Sequence, residues 1–145
     1  MPKKEIVDVK LAAPNPNLSP ATRFGSLVFV ASQTGRHPIT GEVGRDIREQ
    51  TRNVLERIKV ILAAAATSLD NVLTVTTHLT KREDLAAYNE EYGKYFPTNK
   101  PAHGGGHAEL ARAARRDHRH RVHSGLARAS ARSRGSGGSR WPSPV

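Results

Sequence analysis

Residues able to do chemistry are few in this chain, and the first pair is Ser32-Gln33. Together they offer a hydroxyl, a carboxamide and two backbone N–H groups to a ligand. They follow an unbroken apolar run, Leu27 to Ala31, so the pair also reads as a strand end entering a turn at Thr34-Gly35. His78 lies inside a β-branched stretch, where a lone histidine is ordinarily a packed or surface residue. Further on, His103-Gly104-Gly105-Gly106-His107 looks like a metal tag, and Arg115-Arg116-Asp117-His118-Arg119-His120-Arg121 looks like an RNA-binding run. Both stretches read more readily as frame-shifted text or a solvated tail, and no metal site is expected. The absence of cysteine excludes disulfides, thiolate catalysis and Cys-ligated zinc.

These residues need a scaffold, and 145 residues suffice for one domain with a real core. The N-terminus has no apolar signal region, and no run approaches the ~20 apolar residues of a membrane span. The expectation is a soluble cytoplasmic protein with no membrane partner. The formal net charge of +10 would ordinarily suggest nucleic acid, but its distribution argues against that partner. Residues 1–100 hold 14 Lys+Arg against 11 Asp+Glu, whereas residues 101–145 hold 9 Arg, no Lys and 2 acidic residues. The chain changes character at Pro101.

Glu5 to Lys10 alternates weakly and could be a first strand, and Ala12 to Pro20, with three prolines, reads as an extended loop. Leu27 to Ala31 predicts a strand buried on both faces. Thr34 to Gly44 is a meandering connection, and Asp46 with Glu49 has the spacing of a capping box. Ile47, Thr51, Val54, Leu55, Ile58, Ile61, Leu62 and Ala65 then recur at helical spacing, with Arg48, Arg52, Glu56 and Lys59 on the other side. Val72 to Leu79 predicts a second strand. Thr80 and Glu83 repeat the capping-box spacing before a second helix carrying Leu85, Tyr88, Tyr92 and Tyr95, ended by Pro97. The helices are expected near 46–66 and 81–95, both packed on one face of a mixed sheet in an α+β fold.

Several stretches match a known pattern in order and spacing over roughly residues 12–102. They are Leu18-Ser19-Pro20-Ala21, Gly25-x-Leu27-Val28-Phe29-Val30-x-Ser32-Gln33, Thr40-Gly41-Glu42 and Gln50-Thr51-x-x-x-Leu55-x-x-Ile58. Ser68-Leu69-Asp70-Asn71-Val72, Asn89-x-x-Tyr92, Tyr95-Phe96-Pro97 and Lys100-Pro101-Ala102 follow. In these the chain resembles the RidA (YjgF) reactive-intermediate deaminase family.

The resemblance implies a chorismate-mutase-like subunit, a homotrimer, and ligand sites in clefts between subunits. It implies hydrolysis of enamines or imines such as 2-aminoacrylate to a keto acid and ammonia, without cofactor. The substrate-binding positions it implies are Leu18, Ser32, Gln33, Asn89 and Tyr92, and the catalytic position is His103. A fixed guanidinium would hold the substrate carboxylate while the site orients water and a proton donor.

Four departures stand out. Ala31-Ser32-Gln33 replaces the family's Ser-Gly-Gln, and Leu18 replaces a tyrosine common in the deaminating branch. Pro101-Ala102-His103-Gly104 replaces Pro-Ala-Arg-Ser/Thr, so the carboxylate-binding Arg is absent. The closing-strand text does not appear. A shift of one base in the coding frame would explain the last two: one allowed reading from Pro101 is Pro-Ala-Arg-Thr-Val-Val-Val-Thr. The expected organisation is therefore a RidA-like domain over 1–102, lacking its closing strands, and an aberrant or disordered tail over 103–145. Deaminase activity impaired at residue 103 is the first functional expectation. A non-catalytic protein binding a small metabolite is the alternative, and an RNA-binding or RNA-cleaving protein, an activity sometimes attached to this family, comes third.

Overall fold

The computed structural model describes residues 1–107 and 126–132. The elements run β1 (Lys4–Val7), β2 (Ala21–Phe24), β3 (Leu27–Val30), α1 (Ile47–Ala64), β4 (Val72–Leu79), α2 (Leu85–Tyr95), β5 (Ala102–His107) and β6 (Leu126–Arg132). The strands form one sheet in the order β1-β2-β3-β6-β4-β5. Only β4 and β5 run parallel; every other neighbouring pair is antiparallel.

The apolar stripe of α1 makes the core. Ile58, Ile61 and Leu62 are fully buried against Val28 of β3 and Val75 of β4. Each such side chain contributes roughly 1.5–3 kcal/mol when removed from water. Asp46 caps α1 as expected, accepting from the Glu49 N–H at 2.9 Å. The return half of the box is displaced by one residue, because Glu49 Oε2 accepts from the Arg45 N–H at 2.8 Å.

Two expectations about elements are corrected. β3 is buried on one face only: Val28 and Val30 point inward, whereas Phe29 is 49 % exposed. Both helices lie on the same side of the sheet, which leaves the Phe29 side of β3 without a covering helix among the described residues. The second capping box does not form. Arg82–Asp84 makes a 3₁₀ turn, and α2 starts after it with no side-chain cap. Leu85 is accordingly exposed, and Tyr88 is the first buried residue of that helix.

The sheet also continues past residue 102, where the sequence reading closed the domain. β5 pairs Ala102 to His107 with Thr74 to Leu79, and β6 fills the centre between β3 and β4. Strand pairing needs backbone rather than apolar side chains, and small residues suit the central position: Ala129 and Ala131 face the core. The Arg115–Arg121 run lies outside the described residues.

Candidate functional site

Two polar groupings occupy different parts of the fold. The first forms where the loop of residues 8–20 crosses the end of β3. Leu18, Ser32 and Gln33, all singled out from sequence, line one cavity there of about 330 Å³. Arg57 of α1 lines it too. Ser32 and Gln33 leave β3 directly over the helix, and Arg57 lies one helical turn beyond Val54 on the buried side of α1. Its Nε donates to Gln33 Oε1 at 3.0 Å, and its Nη1 donates to the Ala12 carbonyl at 3.0 Å. Gln33 in turn donates to the Ala31 carbonyl at 3.0 Å. Arg57 is 6 % exposed and has no ion-pair partner among the described residues. Burial lowers its pKa from the ordinary arginine value, and the nearby Arg36 acts in the same direction. A guanidinium nonetheless stays charged at any working pH.

The connection over residues 34–44 holds this end of α1 in place. Gln50 donates to the Gly44 carbonyl and Asn53 to the Gly35 carbonyl, at 2.9 and 3.2 Å. Glycine is required at residue 35 because a Cβ there would sit 2.6 Å from Gln50 Cβ. The polar residues Gln50, Asn53 and Arg57 are thus buried members of the α1 face.

The second grouping sits at the β4–β5 edge under α2. His103 stands beside Val75 in register, so it shares the helix-facing side of the sheet. Its Nε2 lies 3.0 Å from the Tyr88 hydroxyl and 3.3 Å from Thr77 Oγ1, which are themselves 2.8 Å apart. The Tyr92 ring lies 5.1 Å from the imidazole, centroid to centroid. Burial lowers the His103 pKa below its usual value, which leaves the ring neutral at pH 7. Burial also pushes the Tyr88 phenol up to about 12, against a smaller opposing effect of the Thr77 hydrogen bond. The phenol therefore stays protonated and can donate to His103 Nε2. The group can hold and relay a proton. It cannot clamp a carboxylate, since a neutral imidazole lacks both the charge and the fork of a guanidinium. Asn89 lines the same cavity as His103, on the exposed side of α2.

Sequence reasoning named Leu18, Ser32 and Gln33, which meet at the first cavity, and Asn89, Tyr92 and His103, which meet at the second grouping. It missed Arg57, Tyr88's hydroxyl and Thr77. The signal for Arg57 was its position, between Val54 and Ile61 on the apolar arc of a helix, where a cation must have a reason to be. His78 is exposed on β4 and belongs to neither site. No group of three or more metal-ligating side chains occurs among the described residues, and no helix there is long and apolar enough to cross a membrane.

Comparison with known proteins gives a consistent result. The family described as Endoribonuclease L-PSP matches residues 9–114. A RutC family protein of Pyrococcus abyssi is 43 % identical over 103 residues, covering 70 % of this chain and 81 % of the relative. Reactive Intermediate Deaminase A, chloroplastic, of Arabidopsis thaliana is 35 % identical over 102 residues, 69 % of this chain and 54 % of the relative. Among solved structures, Escherichia coli TdcF with bound serine superposes with a TM-score of 0.74 at 26 % identity, covering 90 % of this chain and 99 % of that one. The mixed sheet with its two helices on one side is the fold of that protein.

Proposed function

This chain belongs to the Endoribonuclease L-PSP family, to which the RidA and YjgF proteins belong, and from that premise we propose that it acts on small imines or enamines of the 2-aminoacrylate type. In the reaction, the enamine carbon takes a proton to give the imine. Water then adds to the imine carbon while nitrogen is protonated, the C–N bond breaks, and ammonia leaves a keto acid. Tyr88 and His103 would relay protons, with Asn89 and Tyr92 beside them. In the trimer proposed below, Leu18, Ser32 and Gln33 would bind the ligand from one subunit while the Tyr88–His103 group faces it from the next, in the cleft between them. No metal or organic cofactor enters the scheme. The Arabidopsis relative, named a reactive intermediate deaminase, and the serine found in TdcF support a small amino-acid-like ligand. We further propose a homotrimer, packed through the open side of the sheet that carries Phe29.

Turnover should be slow, and the observation that carries this is the neutral His103 engaged with Tyr88 and Thr77. A missing bidentate charge-assisted pair costs roughly 2–5 kcal/mol, about 30- to several-thousand-fold in rate. The test generates 2-aminoacrylate in place and times keto-acid formation by the parent chain and by His103→Arg. The expected result is at least a ~30-fold gain in the variant, which carries the residue that one allowed reading of a one-base frame shift places there. Equally rapid turnover by the parent chain would contradict the reading. No turnover by either would favour the alternative, a protein that binds a metabolite without transforming it. The Arg-rich run gives no support to nucleic acid as the substrate, since it lies outside the described residues.

A further inference from the structure

The cavity at the end of β3 is walled by Leu11, Leu18 and Pro20 on one side and by Ser32, Gln33 and Arg57 on the other. Its ~330 Å³ is at the small end of ligand cavities, and its lining mixes apolar residues with the polar Asn15, Ser19, Ser32, Gln33, Thr34 and Arg57. The guanidinium in it is buried, yet no carboxylate reaches it among the described residues. Asp8 is the one acid in the lining; it is exposed and makes no ion pair with Arg57. Two of the three nitrogens are committed, Nε to Gln33 and Nη1 to Ala12, which leaves Nη2 with no hydrogen bond among the described residues. Tying Ala12 and Gln33 to the helix requires donors but no charge, and a neutral amide would do it without the desolvation cost of a cation. Arg36 adds a second positive charge within range, which raises that cost further.

We propose that Arg57 is the anchor of a binding site for a small organic carboxylate in this cavity. A single guanidinium with one free nitrogen matches one negative charge. A phosphate dianion carries a second charge, for which the lining of the cavity holds no further cation. Leu11, Leu18 and Pro20 suit a short aliphatic tail of the same molecule. The site deepens the reading above, on which it rests only for the class of ligand: with no guanidinium at residue 103, Arg57 offers the carboxylate one nitrogen in place of a bidentate pair.

The test follows the Arg57 Nε–Hε resonance of the ¹⁵N-labelled full chain during titration with 2-oxobutanoate. Inorganic phosphate is titrated separately, and sodium chloride serves as the ionic-strength control. Saturable movement with 2-oxobutanoate is expected, with affinity for phosphate about tenfold weaker or less. Leu18→Glu should weaken binding about tenfold or more, because it sets a tethered carboxylate at the mouth of the cavity while Arg57 and its buried contacts remain. No saturable movement at tens of millimolar keto acid would overturn the proposal, as would unchanged binding in Leu18→Glu. A resonance that moves with protein concentration alone would assign the counter-charge to a second copy and also overturn it. Since binding is read without turnover, a chain that hydrolyses nothing can still pass this test.

Discussion

Glu91 and Arg57 are both buried, at 2 % and 6 % exposure, and the fold treats them in opposite ways. Glu91, on α2, receives Arg52 from α1 at 3.0 Å and Lys94 from its own helix at 2.7 Å. The hydrogen bond from Lys94 leads in holding its carboxyl below the usual range, with Arg52 acting in the same direction and burial against it. Arg57, one and a half turns from Arg52 on the same helix, has hydrogen bonds to neutral groups and no acid among the described residues. A fold that pairs its buried anion twice can pair a buried cation, so a cation left unpaired among the described residues calls for an explanation. Glu91 is a clamp between helices; Arg57 is the residue we propose meets a ligand.

Neutralising each group should break the comparison or sharpen it. Glu91→Ala should cost about 2 kcal/mol, read as a lower denaturant midpoint at unchanged slope. The loss stays below the 3–5 kcal/mol of a fully buried pair because Arg52 and Lys94 keep contact with water. Arg57→Met should cost no more than about 1 kcal/mol. It strands Gln33 Oε1 and the Ala12 carbonyl, but it also removes a desolvated charge. Similar large losses for both would make Arg57 a structural clamp like Glu91.

His103 offers a smaller and reversible version of the same contrast. Its partners Tyr88 and Thr77 are neutral, so protonation would create a second cation with no acid paired to it among the described residues. The folded-state pKa lies below the unfolded one, so the unfolded chain binds the proton more readily between the two values. The contribution is fully present above the ordinary value of 6.5 and is lost as pH falls through the folded-state pKa. Thermal midpoints measured downward from pH 7 should fall, and His103→Gln should flatten that part of the slope. An unchanged slope would mean that His103 does not sense its burial.

Much of the scaffold could be read from periodicity. The α1 stripe, the apolar centre of β3 and the β-branched β4 each carry their period in the residues themselves. β6 escaped because its period is written in small residues: Ala127, Ala129 and Ala131 alternate with Arg128, Ser130 and Arg132, which looks like a solvated tail when judged by apolar content. β5 escaped because Gly104, Gly105 and Gly106 carry no side chains to alternate. A Cβ at Gly104 or Gly105 would find neighbours only at 3.8 and 3.7 Å, so the space there does not demand glycine. The site was half legible. Leu18, Ser32 and Gln33 came from motif text, but Arg57 lies inside a helix whose apolar neighbours drew the attention. Its significance depends on which acids fail to reach it, and that is a property of three-dimensional placement.

The most direct measurement is the thermal midpoint of the full chain against keto-acid concentration, with Arg57→Met in parallel. Ligand that binds only the folded state adds about 2.7 kcal/mol at a hundred times its Kd, enough to raise the midpoint by several degrees. The account predicts that 2-oxobutanoate raises the midpoint of the parent chain steadily with the logarithm of concentration. Arg57→Met, of nearly equal stability without ligand, should stay flat. Parallel rises in both proteins, or no rise in either, would contradict the claim that Arg57 holds a carboxylate.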